Sequence, residues 1–229
     1  MPTDKTRSKI CRAYLECLAT APVEQVGFAE IAEGAQVSLS EVRACFSRRS
    51  DILAWYYTQV DQQVLAQIDA DLAGEPVREQ LFDCLMNRLD ALSADSAALL
   101  ALDTAACKDP VFAGTLLSLE TRSMHWMLDA CAAAREGIVR QVAARGLALG
   151  FVQVMRVWLQ EDDEAKPRTM SELDRVLRRG ENMLSRVARV EACLQPVAVK
   201  SFRLASCVAG AMAAGRRKRR RPEAAEHTA

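Results

Sequence analysis

Apolar residues recur three and four positions apart along almost the whole chain, and that spacing commits it to helices. Between Arg7 and Ala19 the set Ile10, Ala13, Tyr14, Cys17 and Leu18 makes one helical stripe, broken by Pro22 and Gly27. Ile52, Tyr56, Val60, Val64, Ile68 and Leu72 lie four apart and predict a long helix ending at "AGEP". Leu81, Phe82, Leu85, Met86, Leu89 and Leu92 form the next stripe, and "DSAALLALDTAAC" predicts another helix, closed by Pro110. Helices over Val111 to Ala134 and Ile138 to Leu159 follow, the second apolar on most sides and therefore expected to be buried. Thr169 with Glu172 fits a capping box opening a last long helix, with the stripe Met170, Leu173, Val176, Leu177, Met183, Leu184 and Val187. No stretch reads convincingly as a strand. Half the residues are hydrophobic but only 5% are aromatic, and alanine and leucine abound, which favours an all-α fold.

The segment Glu30 to Leu53, "EIAEGAQVSLSEVRACFSRRSDIL", narrows the reading. Phe28 to Glu33 predicts a short helix, Gly34 to Val37 a turn, and Ser38 caps a second short helix reaching Cys45. Two short helices across a tight turn form a helix-turn-helix, whose second member can enter the DNA major groove. Ile31, Val37, Val42 and Phe46 are apolar and can bury the unit, with the small Ala32 where the helices approach. Ser38, Ser40, Glu41 and Arg43 are expected to face outward, serine hydroxyls suiting phosphates and arginine suiting a phosphate or a guanine edge. Arg48 and Arg49 open the next helix near the flanking backbone.

On these residues the chain resembles the TetR family of transcriptional regulators. Ile31, Ala32, Ala35, Val37, Ser38, Val42 and Phe46, then Arg49 and Ile52-Leu53, follow the family's amino-terminal pattern without insertion, over about the first 60 residues. The departures are Gln36 at a usual glycine, Ser40-Glu41 at Gly-Thr, Arg43 at the phosphate-contacting tyrosine and Cys45 at an aromatic or histidine. The resemblance implies a three-helix helix-turn-helix head on residues 1–50, a helical ligand-binding and dimerisation body on 51–195, and a carboxy-terminal extension with a basic tail on 196–229. It implies a cytoplasmic homodimer that binds double-stranded DNA through Ser38, Leu39, Ser40, Glu41, Arg43, Arg48 and Arg49. It also implies a one-component repressor answering a small apolar effector, for which Phe112, Met124, Trp126 and Met127 are candidate pocket residues.

Charge qualifies that expectation. Residues 1–60 hold seven Lys/Arg and seven Asp/Glu, so the head has no general pull on nucleic acid. The stretch Arg216 to Ala229 holds six Lys/Arg and two Asp/Glu, which leaves −4 on the remainder of a chain of net charge zero. That basic run can be a solvated tail, a DNA-phosphate contact, or, with "LASCVAGAMAA" before it, a contact with an anionic membrane surface. A second resemblance supports the membrane alternative. Trp158, Asp162, Asp163, Thr169, Met170, Leu173 and Asp174 are similar to a segment of the ubiquinone-biosynthesis lipid-binding proteins of TetR-like fold, which would make the chain a membrane-associated, non-enzymatic accessory protein.

Enzyme chemistry is not expected. Of two histidines, His125 sits among Met124, Trp126 and Met127 and reads as a core or pocket residue, and His227 lies in the tail. HExxH, GxGxxG, P-loop and GxSxG motifs do not occur, and no base–nucleophile set is evident. The acids Glu161, Asp162, Asp163 and Glu164 read as solvated, and no metal or cofactor is expected. The eight cysteines form no CxxC pair and read as free thiols, and the polar start predicts no signal peptide.

Overall fold

The structure, a computed structural model, describes residues 3–68, 74–131 and 137–183, and residues 1–182 form one compact unit. The expectations placed on Leu72, Ala134, Leu184, Val187, Cys193, Cys207 and the extension 196–229 lie outside the described residues. In chain order the helices are α1 (Asp4–Thr20), α2 (Phe28–Gly34), α3 (Leu39–Cys45) and α4 (Arg49–Ala66). Then come α5 (Val77–Leu92), α6 (Ser96–Lys108), α7 (Pro110–Ala130), α8 (Gly137–Trp158) and α9 (167–183). No strand occurs among the described residues.

Local chemistry sets the ends of these helices. Thr3 caps α1, its hydroxyl accepting from the Thr6 N–H at 3.3 Å. Pro110 begins α7 as well as closing α6, because its fixed φ suits a first helical position and its missing N–H costs nothing there. The Asp109 carboxylate accepts from the N–H groups of Val111 and Phe112 at 2.8 and 3.2 Å. α4 ends at Ala66, sooner than its stripe suggests; Ile68 follows in irregular chain and is 38% exposed.

The expected capping box at α9 is corrected. The helix starts at Pro167, after Lys166 in the left-handed region at φ 48°, so Thr169 already lies inside it. Glu161 caps from the preceding loop: its carboxylate accepts from the Arg168 N–H at 2.7 Å, and from the Thr169 N–H and hydroxyl at 2.8 and 2.6 Å. Glu172 instead accepts from the Gln153 amide on α8 at 2.7 Å.

One core runs through the unit. α1 packs on α2, α4 and α6, and α7 packs on α4, α6 and α8. α8 buries Val139, Ala144, Ala148, Phe151, Val154, Met155 and Trp158, but leaves Ile138 and Leu149 exposed. Gly150 lets α9 approach α8 closely, since a Cβ there would collide with the Val176 side chain.

Candidate nucleic-acid interface

The predicted helix-turn-helix is present. α2 and α3 are joined across residues 35–38, and the turn closes with the Val37 N–H donating to the Ala32 carbonyl at 3.0 Å. The turn needs a left-handed residue, and Gln36 supplies it at φ 54°. Gln36 stands where the TetR-like pattern usually has glycine.

Ser38 caps α3 reciprocally. Its hydroxyl accepts from the Glu41 N–H at 3.2 Å, while the Glu41 carboxylate accepts from the Ser38 N–H and hydroxyl, each at 2.8 Å. These bonds, the backbone one first, hold the Glu41 carboxyl below its ordinary value. Glu41 is therefore tied to the start of its own helix, where a negative charge is favoured. Glu30 does the same for α2, accepting from the Gly27 N–H at 3.0 Å. Asp51 does so for α4, accepting from the N–H groups of Ser47 and Arg48 at 3.0 and 2.9 Å.

α3 packs on α2 and α1 through one side only. Val42 is 1% exposed and anchors it, a burial worth roughly 1.5–3 kcal/mol. Leu39, Ser40, Glu41, Arg43 and Ala44 stay exposed. Leu39 is 55% exposed. The Arg43 guanidinium donates to the Ser47 hydroxyl at 3.0 Å and keeps its other N–H groups. Arg48 is exposed.

Arg49 differs. It is partly buried and donates to the carbonyls of Val23 and Val26 at 2.7 and 2.5 Å, fastening α4 to the turn between α1 and α2. Arg12 and Tyr56 make a second tie: the Arg12 guanidinium and the Tyr56 hydroxyl donate to Asp95 at 2.7 and 2.9 Å, linking α1 and α4 to the bend between α5 and α6.

Of the candidate pocket residues, Met124 and Met127 are fully buried core, and Phe112 packs against it half-buried. Trp126 is 59% exposed and lines a groove of about 210 Å³ between α4 and α7. Under this groove lies a buried ionic cluster. Arg88 is fully buried, paired through one guanidinium nitrogen with Asp61 and lying 3.4 Å from Glu120 through another. The Ser123 hydroxyl donates to Asp61 at 2.8 Å. The rings of Tyr57 and Phe151 lie 5.5 and 5.6 Å from the guanidinium. Both Glu120 carboxylate oxygens, and Nε and Nη2 of Arg88, are buried without a hydrogen bond. A signal for this cluster existed. Asp61, Arg88 and Glu120 each fall on the apolar stripe of their own helix, where a charge is out of place.

An all-helical unit with a helix-turn-helix directly after its first helix defines the class: a helix-turn-helix fold with a helical body. More particularly, the fold is that of the TetR transcriptional regulators. A TetR transcriptional regulator from Nitrosomonas europaea superposes with a TM-score of 0.61 at 20% identity, over 78% of this chain and 99% of that one. One from Rhodococcus sp. RHA1 gives 0.54 at 18% identity, over 77% and 96%. No protein-family model and no curated sequence matches the chain, so the likeness to ubiquinone-biosynthesis proteins rests on the sequence segments from Arg78 and from Val157.

Proposed function

We propose that the protein is a cytoplasmic, homodimeric, one-component transcriptional repressor of TetR type. Two copies of α3 read successive major grooves of a pseudo-palindromic site. The solvent-facing side of α3 carries this reading: Leu39, Ser40 and Arg43 are exposed while Val42 holds the helix down. Had that face packed on the protein's own body, no base could reach it. The capping role of Glu30, Glu41 and Asp51 helps to reconcile a charge-balanced head with DNA, since each acid is bound to a helix start. Ser38 and Arg48 suit the phosphates; Arg49, held by two carbonyls, sets the angle of α4 to the head. A small effector bound in the body shifts the spacing between heads, because it binds one arrangement better than the other.

Genomic-DNA capture with sequencing tests the proposal. Wild-type protein is expected to enrich a short inverted repeat, and Arg43→Ala to bind it roughly 10- to 100-fold more weakly. A steep loss of affinity with added salt, kept after deletion of Arg216 to Ala229, assigns the phosphate contacts to the head. Failure to enrich any repeat refutes the regulator.

A further inference from the structure

With both carboxyls ionised, the cluster beneath the α4–α7 groove is one positive charge short. Asp61 and Glu120 bring two carboxylates and Arg88 one guanidinium, all 10% exposed or less by side chain. Buried charges are stable when matched and hydrogen-bonded. Here the single guanidinium leans to Asp61, and both oxygens of Glu120 go without a hydrogen bond. The groove gives access to this imbalance from outside. Its floor includes Tyr57, Asp61 and Ser123, and its rim Gln62, Trp126 and Arg122. Arg88 lies 5.5 Å from the Tyr57 ring and pairs with Asp61, with Glu120 beside its other terminal nitrogen.

We propose that this groove binds a small organic cation, an amine or quaternary ammonium bearing one ring, with Asp61 as its counter-ion and Trp126 and Tyr57 as its aromatic walls. The proposal deepens the regulator reading by naming the effector's class, and it replaces the wholly apolar effector expected from the sequence. The cation supplies the missing charge. Asp61 then faces the ligand as well as the Ser123 hydroxyl, and Arg88 is released toward Glu120, whose nearer oxygen is already 3.4 Å from Nη2. Every buried charge then has a partner, and the orphaned oxygens of Glu120 gain donors. The volume of about 210 Å³ lies below the range of drug-sized pockets, which limits the ligand to roughly one ring and its ammonium arm. Arg122 on the rim opposes a cation, but it is exposed and can turn to water.

Three probes with one ring and different charge test this by titration calorimetry on the full chain: 2-phenylethylammonium, 2-phenylethanol and 3-phenylpropanoate. The cation is expected to bind at least about tenfold tighter than the other two, quenching fluorescence in wild type but not in Trp126→Phe. Glu120→Gln removes the charge deficit and leaves the groove walls intact, and is expected to weaken the cation about tenfold or more while thermal stability holds or rises. Arg122→Gln is expected to strengthen it. Equal or tighter binding of the alcohol or the carboxylate, an unchanged cation affinity in Glu120→Gln, or no heat with any probe overturns the proposal. DNA capture without ligand is read separately, so loss of the cation site leaves the DNA result standing, and the reverse.

Discussion

Replacing Arg88 with methionine isolates the energetics of the buried cluster. Methionine fills much of the same volume without charge, so packing against Tyr57 and Phe151 is largely kept. What is lost is the cation paired with Asp61 and lying beside Glu120. Asp61 keeps the Ser123 hydroxyl at 2.8 Å, whereas Glu120 keeps no hydrogen bond. Breaking a buried pair from one side costs about 3–5 kcal/mol, a large part of the roughly 5–15 kcal/mol that holds a domain folded. At roughly 2–4 °C per kcal/mol for a unit of this size, the melting temperature should fall by about 10 °C at neutral pH. Thermal unfolding followed by circular dichroism measures this directly. Arg88→Met combined with Glu120→Gln should recover a good part of the loss, because one of the two stranded carboxylates is then gone. A single variant melting within about 2 °C of wild type, or a double variant no more stable than the single, would refute the account of Arg88 as the cluster's shared counter-ion.

Other perturbations read other parts of the molecule. Burial pushes the Glu120 carboxyl above its ordinary value, Arg88 pulls it back and Asp61 pushes it further, with the upward effects winning. The folded state therefore holds an extra proton between the ordinary and the raised value, so stability should fall as pH rises through that window; urea titrations across pH should show this in wild type and a flatter profile in Glu120→Gln. Gln36→Gly should stabilise the head by up to about 1 kcal/mol, since the strain glycine relieves at a positive φ exceeds the chain entropy it loses; a lower midpoint in chemical denaturation would refute this. Asp95→Asn should weaken the tie between Arg12, Tyr56 and the α5–α6 bend and cost about 1–3 kcal/mol, measured the same way. Among the described thiols the exposed Cys107 should alkylate first, and Cys11, pushed up to about 12 by burial, only on unfolding, as peptide mapping by mass spectrometry would show.

Helices, caps and the helix-turn-helix were legible in the sequence because each is decided by residues within a few positions of one another. Ser38 announces the start of α3, and the structure adds the return bond from its N–H to Glu41, a residue expected from the sequence to face DNA. Thr169 and Glu172 have the same spacing, yet Pro167 starts the helix earlier and Glu161 reaches in from the loop. Local pattern cannot see such a competitor. Neither could it see Arg49 reaching back to Val23 and Val26, or Arg12 reaching Asp95, because those partners are set by how helices cross. The pocket residues mixed two faces of α7. Met124 and Met127 point to the core with Glu120 and Ser123, while Trp126 lies round the helix from them. Which face borders a cavity depends on α4, and the α7 sequence does not contain that information.

Arg49 and Asp61 stand on one helix, twelve residues or about 18 Å apart, the first gripping two carbonyls at the head and the second flooring the groove. An α-helix barely compresses along its axis, so α4 is a stiff link between the two positions. If the guest proposed above tilts α4 near Asp61, the two bonds of Arg49 carry that tilt to the α1–α2 corner.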